Sequence, residues 1–364
     1  MYPSISKDDP EFYSKIIGEL ESQGLVVIDD VYDPETCDKF VEDIFTNFEQ
    51  LGTGINKLDL NTWKSNILPI QTKAGLFKNL VANFPVLWSI RSNNFIIDTY
   101  QKIYSHFWKC DVDQLIVSTD VLNLKLAQQK PWDNSLKDDW AHLDQVVYGG
   151  TYYKGEYIPN ETYNYIYNCF QGSVALTTST GAFRASPGSH KCHEQIMATL
   201  NINTISSFYK FQRKQIKTVK KIITDNGGEY QIPIYCKKGS LIIWASTLVH
   251  SAKFPDKPSC LEIQPTTDFT IPDDLRCVVY VSYQPLMAFS NHQLREKVNA
   301  FHNNLATNHW GRDILPPRIG QSSLYDNTDS TIMQFIDDPK LVYEKVGKVK
   351  LNKKQQRLLG VTDL

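Results

Sequence analysis

At 364 residues, 41% of them hydrophobic, the chain has room for one large domain with elaborations or for two small ones. Its 19 Tyr, 17 Phe and 7 Trp supply ample ring surface for a core, which argues against intrinsic disorder. A net charge of -2 excludes a globally basic nucleic-acid binder and leaves room only for a local basic patch.

The opening MYPSISKDDPEFYSK has no basic segment followed by an apolar one, so no secretory leader is expected. PEFYSKIIGELESQG then carries Phe12, Ile16, Ile17 and Leu20 at helical spacing and stops at Gly24. LVVIDDV reads as a short strand. Asp33-Pro34-Glu35 opens a second helix, with Asp33 as N-cap, Pro34 in the first turn and Phe40, Val41 and Phe45 on the apolar face. Two further helices are predicted near 72–82 and 86–108.

From about residue 115 the texture changes to short β-rich runs: LIVSTDVLNLKL, WAHLDQVVY, YNCFQGSVALTT, EYQIPIYC, SLIIWAS and RCVVYVSYQP. Turn residues separate most of them, the pattern of an antiparallel sandwich or barrel. A helical insertion is expected at about 190–222. After Pro285, MAFSNHQLREKVNAFHNNL returns to helical spacing, and the tail beyond 310 is irregular before a Lys-rich end. The organisation predicted is a single domain: a mainly helical part at 1–114, a β core at 115–285 and a helical extension at 286–364. No apolar run is long enough to span a bilayer. Seven Cys without a CxxC pair point to free thiols, each a small buried hydrophobe, in a reducing and therefore intracellular, cytoplasmic setting.

Two places could carry chemistry. Trp140-Ala141-His142-Leu143-Asp144 puts a His and an Asp two apart, on the same face of a strand. One imidazole and one carboxylate suit a borderline divalent metal, and a second His would complete a facial triad. Alone, His-x-Asp is a weak signal. The partner is His250 in KKGSLIIWASTLVHSAKF, just beyond an apolar strand; alone it reads as a structural His. His190 and His193, three apart in SHKCHE, read as part of a structural turn rather than as ligands, and His106, His292, His302 and His309 have no supporting context. Trp140 and Gln145 flank the ligand strand and could shape a pocket, although core packing is the better reading for Trp140. The tyrosines of 147–167 fit either a lid or a sheet cover. The basic KLVYEKVGKVKLNKKQQR reads as a solvated helix face in preference to a patch for nucleic acid, membrane or nuclear import.

Five blocks in chain order resemble the phytanoyl-CoA dioxygenase-like family of iron(II)/2-oxoglutarate oxygenases. They are GLVVIDDVYDPETCDKF, WAHLDQ, QGSVALTTSTGAFRASPGSHK, KKGSLIIWASTLVHSA and RCVVYVSYQP, together spanning roughly 24–285. In the third block a Gly-Ala-Phe-Arg turn leads into Pro-Gly-Ser-His. The match is weak between 45 and 115 and interrupted by an insertion near 195–235. The resemblance implies a double-stranded β-helix, or jelly roll, of mainly β structure with flanking helices. It implies Fe(II) on His142, Asp144 and His250, with 2-oxoglutarate and O2 as co-substrates and ascorbate as a candidate reductant. It also implies that Arg276 grips the far carboxylate of 2-oxoglutarate, since a guanidinium can do so bidentately. The Pro-rich stretch between His250 and Arg276 is longer than the family's simplest pattern, which weakens that assignment relative to the triad. Lys125 is a second cation for the same carboxylate if it faces the barrel interior, and Ser251 is a further co-substrate contact. The expected activity is hydroxylation of a small molecule, with the substrate unread and the oligomeric state open. The rivals are an inactive jelly-roll binding or structural protein and a cupin-type metalloenzyme that does not use 2-oxoglutarate.

Overall fold

Eight strands of the computed structural model build two facing sheets: β1 Leu122–Lys125, β2 His142–Leu143, β3 Phe170–Ala175, β4 Phe183–Ala185, β5 Ile232–Pro233, β6 Leu241–Ala245, β7 His250–Ala252 and β8 Arg276–Tyr280. The structure describes residues 2–63, 75–77, 80–125, 140–145, 150–153, 156–159, 165–178, 182–202, 208–253, 268–273, 275–315 and 330–361. One sheet contains β6-β3-β8-β1 in that order, and the other β2-β7-β4-β5. All these pairings are antiparallel, and successive strands alternate between the sheets except β4 and β5, which are neighbours in the smaller one, the connectivity of a jelly roll. The larger sheet is extended by Leu25–Asp29 beside β6 and by Leu76–Phe77 beside β1, and the smaller by Tyr209–Lys210 beside β2.

The larger sheet is covered on both faces, so its strands read as unbroken apolar runs instead of alternating ones: all five residues of Leu25–Asp29 and of β6 are buried. Its outer face packs against the helices α1 Phe12–Gln23, α2 Pro34–Gln50, α3 Pro85–Arg91 and α4 Asn94–Trp108, in an apolar cluster that reaches from Ile5 to Leu359. Its inner face, with Val27, Ala175, Ile242, Trp244 and Val278, meets Phe183 and Ala185 of the smaller sheet. Helices α5 His193–Thr199 and α6 Arg213–Asp225 pack with Ala141 and Leu143 in a separate cluster, behind the His-x-Asp strand.

The first two helices form for the reasons legible in their sequence. Gly24 ends α1 in the left-handed conformation at φ 77°, where a Cβ would meet the His190 ring 2.5 Å away. Asp33 caps α2 by accepting from the Thr36 N–H at 2.7 Å, with Pro34 at the first position. Elsewhere the structure corrects the reading. No helix occupies the described part of 72–82: Leu76–Phe77 is a strand, because pairing with β1 satisfies its backbone. The helix predicted at 86–108 is two, α3 and α4, with the Asn93 side chain capping the second through the Ile96 N–H. The insertion at 190–222 contains α5, the Tyr209–Lys210 strand and α6, which runs on to Asp225. Phe183 and Arg184 belong to β4, not to a turn; Ser179, Thr180 and Gly181 lie outside the described residues. EYQIPIYC contributes only Ile232–Pro233 as strand. Within 147–167, Gly150–Tyr153 and Glu156–Pro159 pair as a hairpin, and Tyr165–Tyr167 is a short 3-10 turn; the remaining residues lie outside the described set. Beyond 285 the expected helix, α7, spans Asn291–His302 and is capped by Ser290.

The basic C-terminus ends in the helix Lys353–Leu359. Leu358 and Leu359 are buried, and the Lys354 ammonium donates to the Ser92 carbonyl and to Asn94 Oδ1. Six cysteines are free, and five of these are buried; Cys260 lies outside the described residues. Among the described residues no helix is long and apolar enough to cross a membrane.

Candidate metal centre

β2 is only two residues long, yet it is held on both sides. His142 pairs with His250 of β7 on one side and with Lys210 on the other. That register brings the two imidazoles to 4.2 Å between ring centres, although 108 positions separate them in sequence. Asp144, two residues after His142, projects to the same side. Its Oδ2 lies 3.6 Å from His142 Nε2 and 3.2 Å from His250 Nε2. One ligand atom from each residue falls within 4.8 Å of the others, and all three residues are buried. Two imidazole nitrogens and one carboxylate oxygen on one side of a point form a facial donor set that fits a non-haem iron(II) ion.

The surroundings prepare each group for a metal. His142 Nδ1 faces the Trp140 carbonyl at 3.3 Å, and His250 Nδ1 faces the Leu248 carbonyl at 2.9 Å. Each carbonyl accepts the Nδ1 proton, which leaves the Nε2 lone pair directed at the centre. Burial, helped by the charge of His250, pushes the His142 pKa down and favours the neutral imidazole that binds metals. Burial alone would raise the pKa of Asp144. His309, His142 and hydrogen bonds from both ligand histidines outweigh it and hold the carboxyl well below its ordinary value. Gln171 Nε2 donates to Asp144 Oδ2 at 3.0 Å and to Ser246 Oγ at 3.3 Å, fixing the carboxylate's rotation.

A cavity of about 350 Å³ opens over the triad. Trp140 lies on its wall, half-buried, and stacks on the His142 ring at 4.5 Å and 11°, while its Nε1 donates to the Ala252 carbonyl at 2.6 Å. This corrects the reading of Trp140 as core. Gln145 points away from the cavity: its side chain donates to the Tyr165 carbonyl at 2.7 Å, and its backbone carbonyl accepts from His193 at the same distance. His190 and His193 are structural, as expected. His190 meets the Glu21 carbonyl, and His193 also contacts the Tyr165 hydroxyl at 3.2 Å.

Arg276 opens β8 directly opposite Lys125 on β1, both buried. Opposed residues of an antiparallel pair share a face, and strand alternation puts both on the face of Tyr280, which lines the cavity. Arg276 Nη1 donates to Asn123 Oδ1 at 2.6 Å, and Lys125 Nζ to the Lys253 carbonyl at 3.2 Å. Burial, then the neighbouring guanidinium, pulls the Lys125 pKa well down. Ser251 also borders the cavity, but its hydroxyl donates to Gln231 Oε1.

The cavity's far wall comes from residues that local sequence reasoning passed over. Asn308, His309 and Asp313 sit in the loop joining Ala306–Thr307 to Ile314–Leu315. His309 Nε2 is 3.4 Å from the Asp144 carbonyl, which also accepts from Trp310 Nε1 at 3.0 Å. The one local hint was the dense polar and aromatic run NHWGRD, which follows the Ala306–Thr307 strand.

Fold and donor set together define a jelly-roll protein with a two-histidine, one-carboxylate metal centre. Residues 20–254, more than half of the chain, match the family model Phytanoyl-CoA dioxygenase (PhyH), and the chain belongs to that family. It is 21% identical over 312 residues to Ava biosynthesis cluster protein O of Aspergillus versicolor, covering 82% of this chain and 86% of that one. Two solved structures share the fold. A Salmonella typhimurium LT2 protein, provisionally labelled an oxidoreductase, has a TM-score of 0.54 at 11% identity, over 99% of this chain and 86% of its own. GlcNAc Inducible Gene 2 (DUF1479) of Candida albicans has a TM-score of 0.52 at 13% identity, over 98% and 83%.

Proposed function

We propose that this chain is an iron(II)- and 2-oxoglutarate-dependent dioxygenase that hydroxylates a small molecule. The convergence of His142 Nε2, Asp144 Oδ2 and His250 Nε2 on one point inside a jelly roll carries the reading. Iron(II) with 2-oxoglutarate supplies O2 activation coupled to release of succinate and CO2. The chain's part is to hold, orient and shield. His142, Asp144 and His250 would hold the ion from one side, which would leave its cavity side to co-substrate and O2. Arg276, seconded by Lys125, takes the distal carboxylate of 2-oxoglutarate. Two adjacent buried cations are costly, and an anion between them offsets that cost. Ser251 is secondary in this set, since its proton is already given to Gln231. Trp140 and Phe183 keep water from the reacting face. A relative named for a biosynthesis cluster supports a small-molecule substrate.

The test is anaerobic titration of the purified protein with Fe(II) and 2-oxoglutarate, followed by admission of O2. Visible charge-transfer absorption and then succinate are expected, with both lost in His142→Ala and Asp144→Ala. Undiminished succinate from either variant overturns the assignment.

A further inference from the structure

The cavity over the triad is lined by two chemically different sets of residues. One is aromatic, formed by Trp140, Phe183, Phe208, Trp244 and Tyr280. The other is acidic and polar, with Asp120 and Asp313 beside Asn308 and His309. Among the described residues that line it there is no Lys or Arg. Asp144 is committed to the metal centre, so Asp120 and Asp313 set the charge of the remaining space.

Asp120 is the better placed of the two. Asp313 is exposed and already accepts from Asn308 Nδ2 at 2.7 Å. Asp120 lies in the turn before β1, and its position is fixed from behind: its backbone carbonyl accepts from the buried Arg91 guanidinium. Among the described residues its carboxylate accepts a single hydrogen bond, from the N–H of its own neighbour Val121 at 2.8 Å. A half-buried carboxylate has room for several donors, and one so thinly supplied is costly to keep ionised. Burial does raise its pKa, the charge of Asp144 adds to that, and His309 and Arg91 act against it.

We propose that Asp120 selects the substrate by binding a protonated amine, whose hydrocarbon or ring portion lies along the Trp140 side of the cavity above the metal. A cation is favoured over a hydroxyl for two independent reasons. It forms a charge-assisted hydrogen bond to Asp120, roughly twice as strong as a neutral one. It is also attracted to the negative faces of the aromatic wall, as in aromatic cages for ammonium groups. An anionic substrate would meet Asp120 and Asp313, and among the described lining residues there is no Lys or Arg to receive it, Arg276 and Lys125 being assigned to 2-oxoglutarate. The inference rests on the oxygenase reading only in calling the bound amine a substrate; the binding itself does not depend on turnover.

The experiment compares three probes of similar size on the full chain: 2-phenylethylamine, 2-phenylethanol and 3-phenylpropanoate. Binding is followed by quenching of tryptophan fluorescence, since Trp140 and Trp244 line the cavity. The amine is expected to bind roughly tenfold more tightly than the alcohol, with the carboxylate weakest. Asp120→Asn should remove the preference, which identifies the proposed anchor. Equal binding of amine and carboxylate by the wild type overturns the proposal even if Asp120→Asn does not fold. So does a preference that survives in a folded Asp120→Asn. Iron binding is measured on the same samples. An amine preference without iron binding would sink the oxygenase reading while sustaining the amine site, and iron binding without the preference would do the reverse.

Discussion

Asp144 is where the separate demands of the centre meet. Its Oδ2 faces both ligand histidines and accepts from Gln171, while its backbone carbonyl accepts from Trp310. A carboxylate held this way stays ionised far below neutral pH and does not rotate out of the ligand set. The role proposed for Arg276 is narrower and gives a kinetic prediction. Arg276→Ala should raise the KM for 2-oxoglutarate about a hundredfold with a smaller effect on kcat, and Arg276→Lys should recover part of it, as steady-state succinate assays would show. An unchanged KM would remove Arg276 from the co-substrate site. His190 makes a different prediction, about stability. Burial pushes its pKa down to about 4 from the ordinary 6.5, so between those values the unfolded chain binds a proton that the folded one does not. The stabilisation is therefore complete above pH 6.5 and is lost as pH falls toward 4, by up to about 3 kcal/mol. Urea unfolding at pH 7 and pH 5 should show this loss, and His190→Asn should show a smaller one.

At the scale of elements, the site depends on short strands kept in register by their neighbours. β2 cannot hold itself with two residues; it is positioned by β7, by Tyr209–Lys210 and by the helices behind Leu143. β3 depends on a close approach. The α4 tyrosines reach over the sheet to hydrogen-bond backbone, Tyr100 to the Val281 carbonyl at 2.9 Å and Tyr104 to the Tyr283 carbonyl at 2.7 Å. A Cβ on Gly172 would stand 2.3 Å from the Tyr100 hydroxyl and 2.8 Å from the Val281 carbonyl. Gly172→Ala should thus destabilise by about 3 kcal/mol in urea titration, with Tyr100→Phe relieving part of the loss. If the alanine variant matches the wild type, this contact is looser than it stands here. At the other end of the scale, Asp33→Ala removes one exposed cap and should cost only about 1 kcal/mol.

Over the whole molecule, the C-terminal extension takes part in the centre. Trp310 donates to the Asp144 carbonyl from 166 residues away, and the same loop brings Asn308, His309 and Asp313 to the cavity. Trp310→Ala should weaken iron affinity roughly tenfold or more without removing a ligand, as expected for a hydrogen bond that fixes the backbone of a ligand residue. Iron titration with unfolding measured alongside distinguishes this from general destabilisation. The apolar cluster that joins Ile5 to Leu359 ties the two ends of the chain to one side of the larger sheet. Shortening the chain before Leu358 should therefore lower thermal stability, since two buried leucines are lost.

What the amino-acid order alone determined was whatever is local. His142 and Asp144 share a face because strands alternate, Gly24 and Asp33 mark helix ends because their chemistry suits those positions, and the apolar runs announce strands buried on both faces. For Lys125 the apolar neighbours left two facings open, interior or solvent, and it is the pairing of β1 with β8 that sets it opposite Arg276. The rest depended on register and long-range packing. Leu76–Phe77 became a strand because β1 offered it a ladder, Trp140 left the core because β2 lies against the cavity, and Ser251 turned its proton to Gln231 on a neighbouring segment. Asp120 carries no local signal, and His309 and Trp310 carry only that of the polar and aromatic run they sit in. Their meeting with His142, Asp144 and His250 is a property of how the sheets close and where the C-terminal loop returns, and pairings of that kind are fixed only when the whole core is buried at once.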